Sequence, residues 1–333
     1  MIEVYEKVAD LPDGWDAVVG SNIYLTRKFM AFMERADDAP KKYYAVFDGD
    51  KIDTVFMTQQ RKGYNLGMFA KFDFKIKMTL VYVPLSVTRA GIAYGTKLNE
   101  AMEYVRKLPG YKIFLNLPDI NPKGYAKGLT CPKCELLVRW DTFEDYMSTL
   151  RSNYRYRFKK ALDKSHPLSI RYLSDGSEFT HEMYTLYEQV YAKSRIRVEK
   201  LSEDFFRGEF FKIFVFEENG AARGFVQMLE NGDELVFEFV GVDYKYNKKY
   251  DTYLAMLLEI VRYGINHGFK TIDFGQTADD TKLKLGCKYE YLWAYLTHKN
   301  PLLNALCKRL APKLQYRPLA EDFSVFKEDE SVK

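Results

Sequence analysis

Histidine, cysteine and tryptophan are scarce in this 333-residue chain, at four, four and three residues. His166, His181, His267 and His298 stand far apart, so no HExxH zinc helix exists and no cysteine has a plausible histidine neighbour. Cys131 and Cys134 make one CxxC, but Cys287 and Cys307 supply no second pair. A disulfide scaffold is therefore excluded, an ordinary loop is expected and no metal site is predicted. No run approaches the roughly 18 apolar residues of a membrane span. The acidic opening MIEVYEKVADLPDGWD lacks the apolar stretch of a secretory signal, so a reduced, cytoplasmic location is expected. GxxxxGK[ST], GxGxxG and G-x-S-x-G are all missing, which removes the common phosphate-loop, dinucleotide and serine-hydrolase readings.

What the chain has is apolar and aromatic mass. Residues of hydrophobic type make up 47% and aromatics 16%, with 26 tyrosines and 24 phenylalanines, enough for substantial cores. The net charge of +4 does not point to DNA.

Two halves echo each other. Tyr43 to Gln60 (YYAVFDGDKIDTVFMTQQ) and Lys212 to Leu229 (KIFVFEENGAARGFVQML) each read as strand, turn, strand. Val81 to Pro84, YGTKLNEAMEYVRKL and GYKIFLNL then read as strand, helix, strand. VFEFVGV (Val236 to Val242), YDTYLAMLLEIVRYGINH and GFKTIDFG repeat that order. Leu254, Leu257, Leu258, Val261 and Ile265 follow helical spacing and predict a face packed on a sheet. Thr142 to Lys164 predicts one helix opening the second half. The fold expected is α/β (α+β): two domains of similar topology, 1–138 and 139–333, each a mixed central sheet flanked by helices. In the tail, Leu302, Leu303, Leu306, Leu310 and Leu314 predict a short helix broken by Pro312. It either docks on the protein's own core or touches a membrane surface.

DFGQTADDTKLKLG (Asp273 to Gly286) shares three letters with the kinase magnesium motif. A kinase also needs an HRD loop and a glycine-rich loop, and neither is present. Asp273 is expected to brace a strand-to-helix turn. The stretch DYKYNKKYDT (Asp243 to Thr252) reads as a polar turn before a long helix, where backbone N–H groups can hold an anionic donor. Lys245, Lys248 and Lys249 add charge there, and Asp251 or Thr252 is the expected cap.

The order of elements resembles the GNAT acyltransferase fold. The tandem arrangement is similar to Fem-type aminoacyltransferases and to acetyltransferases of the cellulose-synthesis and BioF-like type. LRSNYRYRFKKAL (Leu150 to Leu162), GFKTIDFGQT, TKLKLG and YLTHKNPLLN carry the resemblance, most specifically in the second half. One departure stands out: ordinary GNAT enzymes have [QR]-x-x-G-x-[GA] where this chain has YKYNKKYDTYL, with no glycine.

The resemblance implies transfer of an acyl or aminoacyl group to an amine acceptor, including small-molecule, lipid-linked or cell-envelope precursors. Acyl-CoA, an acyl carrier protein and aminoacyl-tRNA all remain open as donors, with no tightly bound cofactor. It places the donor on Val240, Val242, Asn247, Lys248, Lys249 and Tyr250. Lys282, four residues before Gly286, is the expected oxyanion or leaving-group stabiliser, and Glu238 the expected base. Tyr156, Arg157 and Lys160 on the basic helix, with Gln276 and Thr277, are the expected substrate contacts, tRNA among them. A non-catalytic RNA-binding module and a degenerate GNAT scaffold are the competing readings.

Overall fold

The computed structural model describes residues 1–37, 39–70, 72–85, 88–194, 200–319 and 323–327. In chain order the first elements are β1 (Ile2–Tyr5), α1 (Trp15–Val19), α2 (Arg27–Ala36), β2 (Lys41–Asp48), β3 (Lys51–Asn65) and β4 (Lys75–Val81). They continue with β5 (Ile92–Tyr94), α3 (Leu98–Lys107), β6 (Tyr111–Leu117) and β7 (Ala126–Leu129). Next come β8 (Lys133–Leu137), α4 (Phe143–Thr149), α5 (Ser152–Ser165), β9 (Ser169–Tyr172), α6 (His181–Lys193), α7 (Glu203–Phe206), β10 (Phe211–Glu218) and β11 (Ala221–Asn231). The rest is β12 (Glu234–Val242), α8 (Tyr244–Tyr250), α9 (Thr252–Asn266), β13 (Thr271–Asp273), α10 (Asp279–Leu283), β14 (Lys288–Glu290), β15 (Trp293–His298) and α11 (Pro301–Leu314).

The chain forms two compact units, Met1–Pro132 with Tyr291–Pro318, and Lys133–Glu290 with Leu319–Lys333. This division differs from the 1–138 and 139–333 boundary. β8 joins the second sheet, beside β13, and YLTH is not a tail but β15, a strand between β6 and β7 of the first. The reason lies in its two covered faces. Tyr295 and Thr297 are fully buried on one side while Leu296 packs with Met78, Ile113 and Cys307 on the other.

Unit 1 has the sheet order β1-β2-β3-β4-β6-β15-β7, with β5 on β3. The predicted hairpin is β2–β3. The strand expected at Val81 to Pro84 sits earlier, as β4, because Val83 and Leu85 close a turn at Pro84, which has no N–H to offer a ladder. α11 runs unbroken through Pro312. It packs on β7 and β15 through Leu303, Cys307, Leu310, Ala311 and Leu314, whereas Leu302 and Leu306 face outward.

Unit 2 has the order β14-β8-β13-β12-β11-β10-β9. The predicted amphipathic helix is α9, and its apolar residues fill one large core with Phe214, Val226, Met228, Leu235 and Phe237. The single helix expected over 142–164 is two. Leu150 and Arg151 are extended because Leu150 bridges Phe326 and the Arg151 N–H donates to Val325. In both sheets one short parallel pair, β4–β6 and β12–β13, follows an antiparallel hairpin and encloses a helix, the repeat seen in the sequence. The acidic end, 328–333, lies outside the described residues.

Candidate active site

β12 and β13 pair over only three residues, Glu234 to Val236 against Thr271 to Asp273. Beyond Val236 the two strands part, and β12 runs on to Val242 bonded only to β11. An edge with unmatched N–H and C=O groups can pair with an extended ligand. A bulge marks the same point. Gln227 opposes Phe239 and Met228 opposes Phe237, so Glu238 is the extra residue in β12. Glu238 is half-buried, with one carboxylate oxygen out of solvent.

Beside Glu238 lies a feature the sequence reading missed. Gln227 is fully buried, and neither its amide N nor its amide O has a hydrogen-bond partner. Alternation along β11 puts it on the sheet face opposite α9, where Phe239 meets Phe205 at 5.6 Å, Phe206 at 5.9 Å and Tyr187 at 6.1 Å. α6 lies tight on this face. A Cβ on Gly241 would come 2.2 Å from the Phe225 ring and 2.8 Å from Leu186. A buried polar group inside an aromatic wall is the signal to look for, but only strand pairing reveals it.

The loop after β13 turns sharply. Asp273 accepts the Gly275 N–H at 2.7 Å and is wholly buried, which is the expected brace. Gly275, Thr277 and Ala278 all have positive φ, 72°, 63° and 53°. Lys282 is 3% exposed, and its Nζ donates to the Gln276 carbonyl at 2.7 Å. It stands 5.9 Å from the Phe237 ring, behind the open edge. Burial pushes its ammonium below the usual lysine range, against the pull of nearby Cys134, Asp279 and Asp273. The amine expected to meet the oxyanion thus ties down the Gln276–Ala278 loop instead, because α10 begins only after that loop and points Lys282 inward.

DYKYNKKYDT is not a turn but the helix α8. Tyrosine, lysine and asparagine all sustain a helix once Asp243 caps it through the Lys245 N–H. Asp251 then takes a left-handed conformation, φ 52°, and makes no cap bond. Asn247 supplies one instead, accepting the Tyr253 N–H at 3.0 Å. Lys249 is paired with Glu218 at 3.1 Å, Tyr250 is buried and donates to the same carboxylate, and Arg223 bonds it too. The hydrogen bond from Lys249, with those charges, holds the Glu218 carboxyl below its usual range. Val242 is buried in the core and Val240 packs against it, while Lys245 and Lys248 are exposed. Of the expected donor set, Lys248 and Lys249 are exposed, Val240 and Asn247 are half-buried, and Val242 and Tyr250 are buried.

Arg157 on α5 reaches this corner and pairs with Asp251, whereas Tyr156, 68% exposed, and Lys160 stay in solvent. Gln276 and Thr277 lie on the loop that follows the parting strands.

The acetyltransferase (GNAT) domain profile matches residues 148–283, the stretch that holds the parting parallel pair and the bulge. Residues 148–283 therefore form an acetyltransferase (GNAT) type domain, and the match covers unit 2 from the end of α4 through α10. A search of curated protein sequences finds no match. Solved structures show the same fold at low identity. One is the L-PGS structure from Bacillus licheniformis, at 10% identity and TM-score 0.54, over 92% of this chain and 98% of that one. FemX matches at 10% identity and TM-score 0.51, over 81% and 90%. Saccharomyces cerevisiae N-myristoyltransferase with bound myristoyl-CoA matches at 12% and 0.52, over 89% and 82%. These likenesses are likenesses of fold.

Proposed function

We propose that unit 2 transfers an acyl or aminoacyl group from a thioester on a pantetheine-type arm to the amine of an acceptor. The observation that carries the reading is the open edge of β12 from Phe237 to Val242, next to Glu238 at its bulge. Amide groups of an extended arm can pair with a strand edge of this kind. The acceptor nitrogen attacks the thioester carbonyl and gives its proton to the Glu238 carboxylate. The C–S bond then breaks, and the departing thiolate takes up a proton. Donor recognition rests on the arm more than on a diphosphate. The stretch before α9, helix α8 with Asp251, has no glycine, and the Tyr253 N–H that would face a phosphate is held by Asn247.

A second reading takes aminoacyl-tRNA as donor. Exposed Tyr156, one turn before the exposed Lys159 and Lys160 on α5, favours it, since stacking and phosphate pairing use these residue types. The deciding experiment incubates the pure protein with acyl-CoA, acyl carrier protein and charged tRNA, and follows binding by native mass spectrometry and transfer to added amines. Transfer from either thioester supports the first reading. Transfer from charged tRNA alone replaces it with the second, and binding of none of the three sinks both.

A further inference from the structure

Unit 1 contains a cavity of about 60 Å³ that no step of acyl transfer uses. One water needs only about 10–15 Å³ on this kind of measure, so the space admits a longer apolar group. Its walls come from Tyr64, Leu66 and Phe69 on the β3–β4 hairpin, Ala126 and Ala294 on the sheet, and Leu314 at the end of α11. Most of the side chains there are apolar, with Asn65, Thr130 and Gln315 among them, and a mainly apolar pocket accepts hydrocarbon.

The surface around it has two further properties. The hairpin that walls the cavity carries Phe72 and Phe74, 51% and 44% exposed, and α11 carries Leu302 and Leu306, 81% and 47% exposed. Large apolar side chains gathered on two neighbouring elements mark an interaction surface rather than random exposure. The charge near the hairpin end and on α11 is mainly basic. Exposed Lys62, Lys75 and Lys77 stand on the hairpin strands, where Asp73 in the turn pairs with Lys75 at 3.4 Å, and exposed Lys308, Arg309 and Lys313 stand on α11, which has no acid. Leu302, Leu306, Arg309 and Lys313 recur at helical spacing, so apolar and basic groups share one flank of that helix. Aromatic and aliphatic anchors beside lysine and arginine are the composition that docks on an anionic bilayer.

We propose that this face of unit 1 docks on an anionic phospholipid surface and draws the end of one acyl chain into the cavity beneath α11. The basic side chains meet the headgroups, Phe72, Phe74, Leu302 and Leu306 enter the interface, and the walls of Tyr64, Leu66 and Leu314 receive the chain. Docking would hold the acyltransferase beside acceptors that live in or on that surface. It does not depend on which donor unit 2 uses.

The test uses the full chain and no acyl-transfer assay, so its failure would leave the proposed function standing. Flotation is measured with phosphatidylcholine vesicles, with and without phosphatidylglycerol. Binding is expected only with the anionic lipid, weakening as salt rises and falling at least ~10-fold in Phe72→Ser/Phe74→Ser. A pyrene-chain phosphatidylglycerol is the second probe. Its emission change on binding is expected in the parent and lost in Ala294→Leu, which fills the cavity, with thermal unfolding confirming that this variant is folded. Ala311→Leu is the substitute if it is not. Absence of flotation with anionic vesicles overturns the proposal, as does flotation indifferent to the two phenylalanines. An unchanged pyrene response in the folded cavity-filling variant overturns the chain-binding step.

Discussion

Arg157 closes a two-bond fork on Asp251, Nη1 to Oδ2 and Nη2 to Oδ1 at 3.0 Å each, with Lys164 at 3.3 Å from the same carboxylate. The pair joins α5 to the junction of α8 and α9, two stretches 94 residues apart in sequence. Burial alone would raise the Asp251 carboxyl, but the hydrogen bonds and charge of Arg157 and then Lys164 outweigh it and hold it below the usual range.

Asp251→Asn is the test of that fork. Asparagine tolerates the left-handed backbone at φ 52°, so the substitution removes charge without adding strain. Because Arg157 is half-exposed, the expected loss is only ~0.5–1 kcal/mol of stability. A carboxylate with a depressed folded pKa stabilises above its unfolded pKa of about 3.9 and loses that contribution as pH falls through the folded value. Parent and variant should therefore differ in urea midpoint near neutral pH and converge as pH falls through the folded value. A difference that persisted in acid would mean the asparagine acts through backbone strain instead.

Legibility in the sequence followed the range of the forces involved. Hairpins and α9 were readable because alternation and helical spacing are local. Strand membership was not. Tyr295 has the same alternation whichever sheet receives it, and only the pairing of β15 with β6 and β7 decides that it belongs to unit 1. Glu238 was found from its strand, but the unpaired edge beside it depends on where β13 stops pairing, three residues in. Lys282 was found from spacing to Gly286, which cannot say whether a short helix turns a side chain outward or in. YKYNKKY looked like a turn because it is polar, whereas polarity on a seven-residue exposed helix is equally expected.

Lys282→Met keeps the buried volume and removes the bond to the Gln276 carbonyl. A hydrogen bond from a charged group contributes about 1.5–3 kcal/mol, so a loss of that order is expected. The loop with Thr277 and Ala278 at positive φ then loses its tether, and acyl transfer should fall while the far-UV spectrum stays that of the parent. The pH dependence has a definite sign. Burial lowers the folded pKa, so between that value and the ordinary ~10.4 the unfolded chain holds a proton that the folded chain does not. Stability of the parent relative to Lys282→Met should rise with pH across that interval. A flat difference from neutral to alkaline pH would contradict the buried placement.

Gln227→Met should separate stability from function. A buried amide with no hydrogen bond carries a desolvation cost of about 1–3 kcal/mol, and an apolar side chain of similar length removes it. The variant is expected to melt higher than the parent. If the amide orients the acceptor beside Glu238, KM for the acceptor rises while donor binding is unchanged. A more stable variant with unaltered KM would leave Gln227 without a part in acceptor binding.

Glu238→Gln is the most direct test of the chemistry. The side chain stands at the bulge of β12, half-buried, and glutamine preserves its shape and its place in the strand. Removing a positioned general base costs typically ~10²–10⁴ in rate. The expected outcome is a fall of that size in kcat, with donor binding retained because the open β12 edge is backbone. The limb of the pH–rate profile that reports deprotonation of the base should vanish with it. A raised concentration of acceptor would not restore the rate, since the lost step is proton removal and not encounter. Should the variant keep both its rate and its acid limb, the acceptor amine must lose its proton to another group, and Glu238 would be only the residue that shapes the bulge.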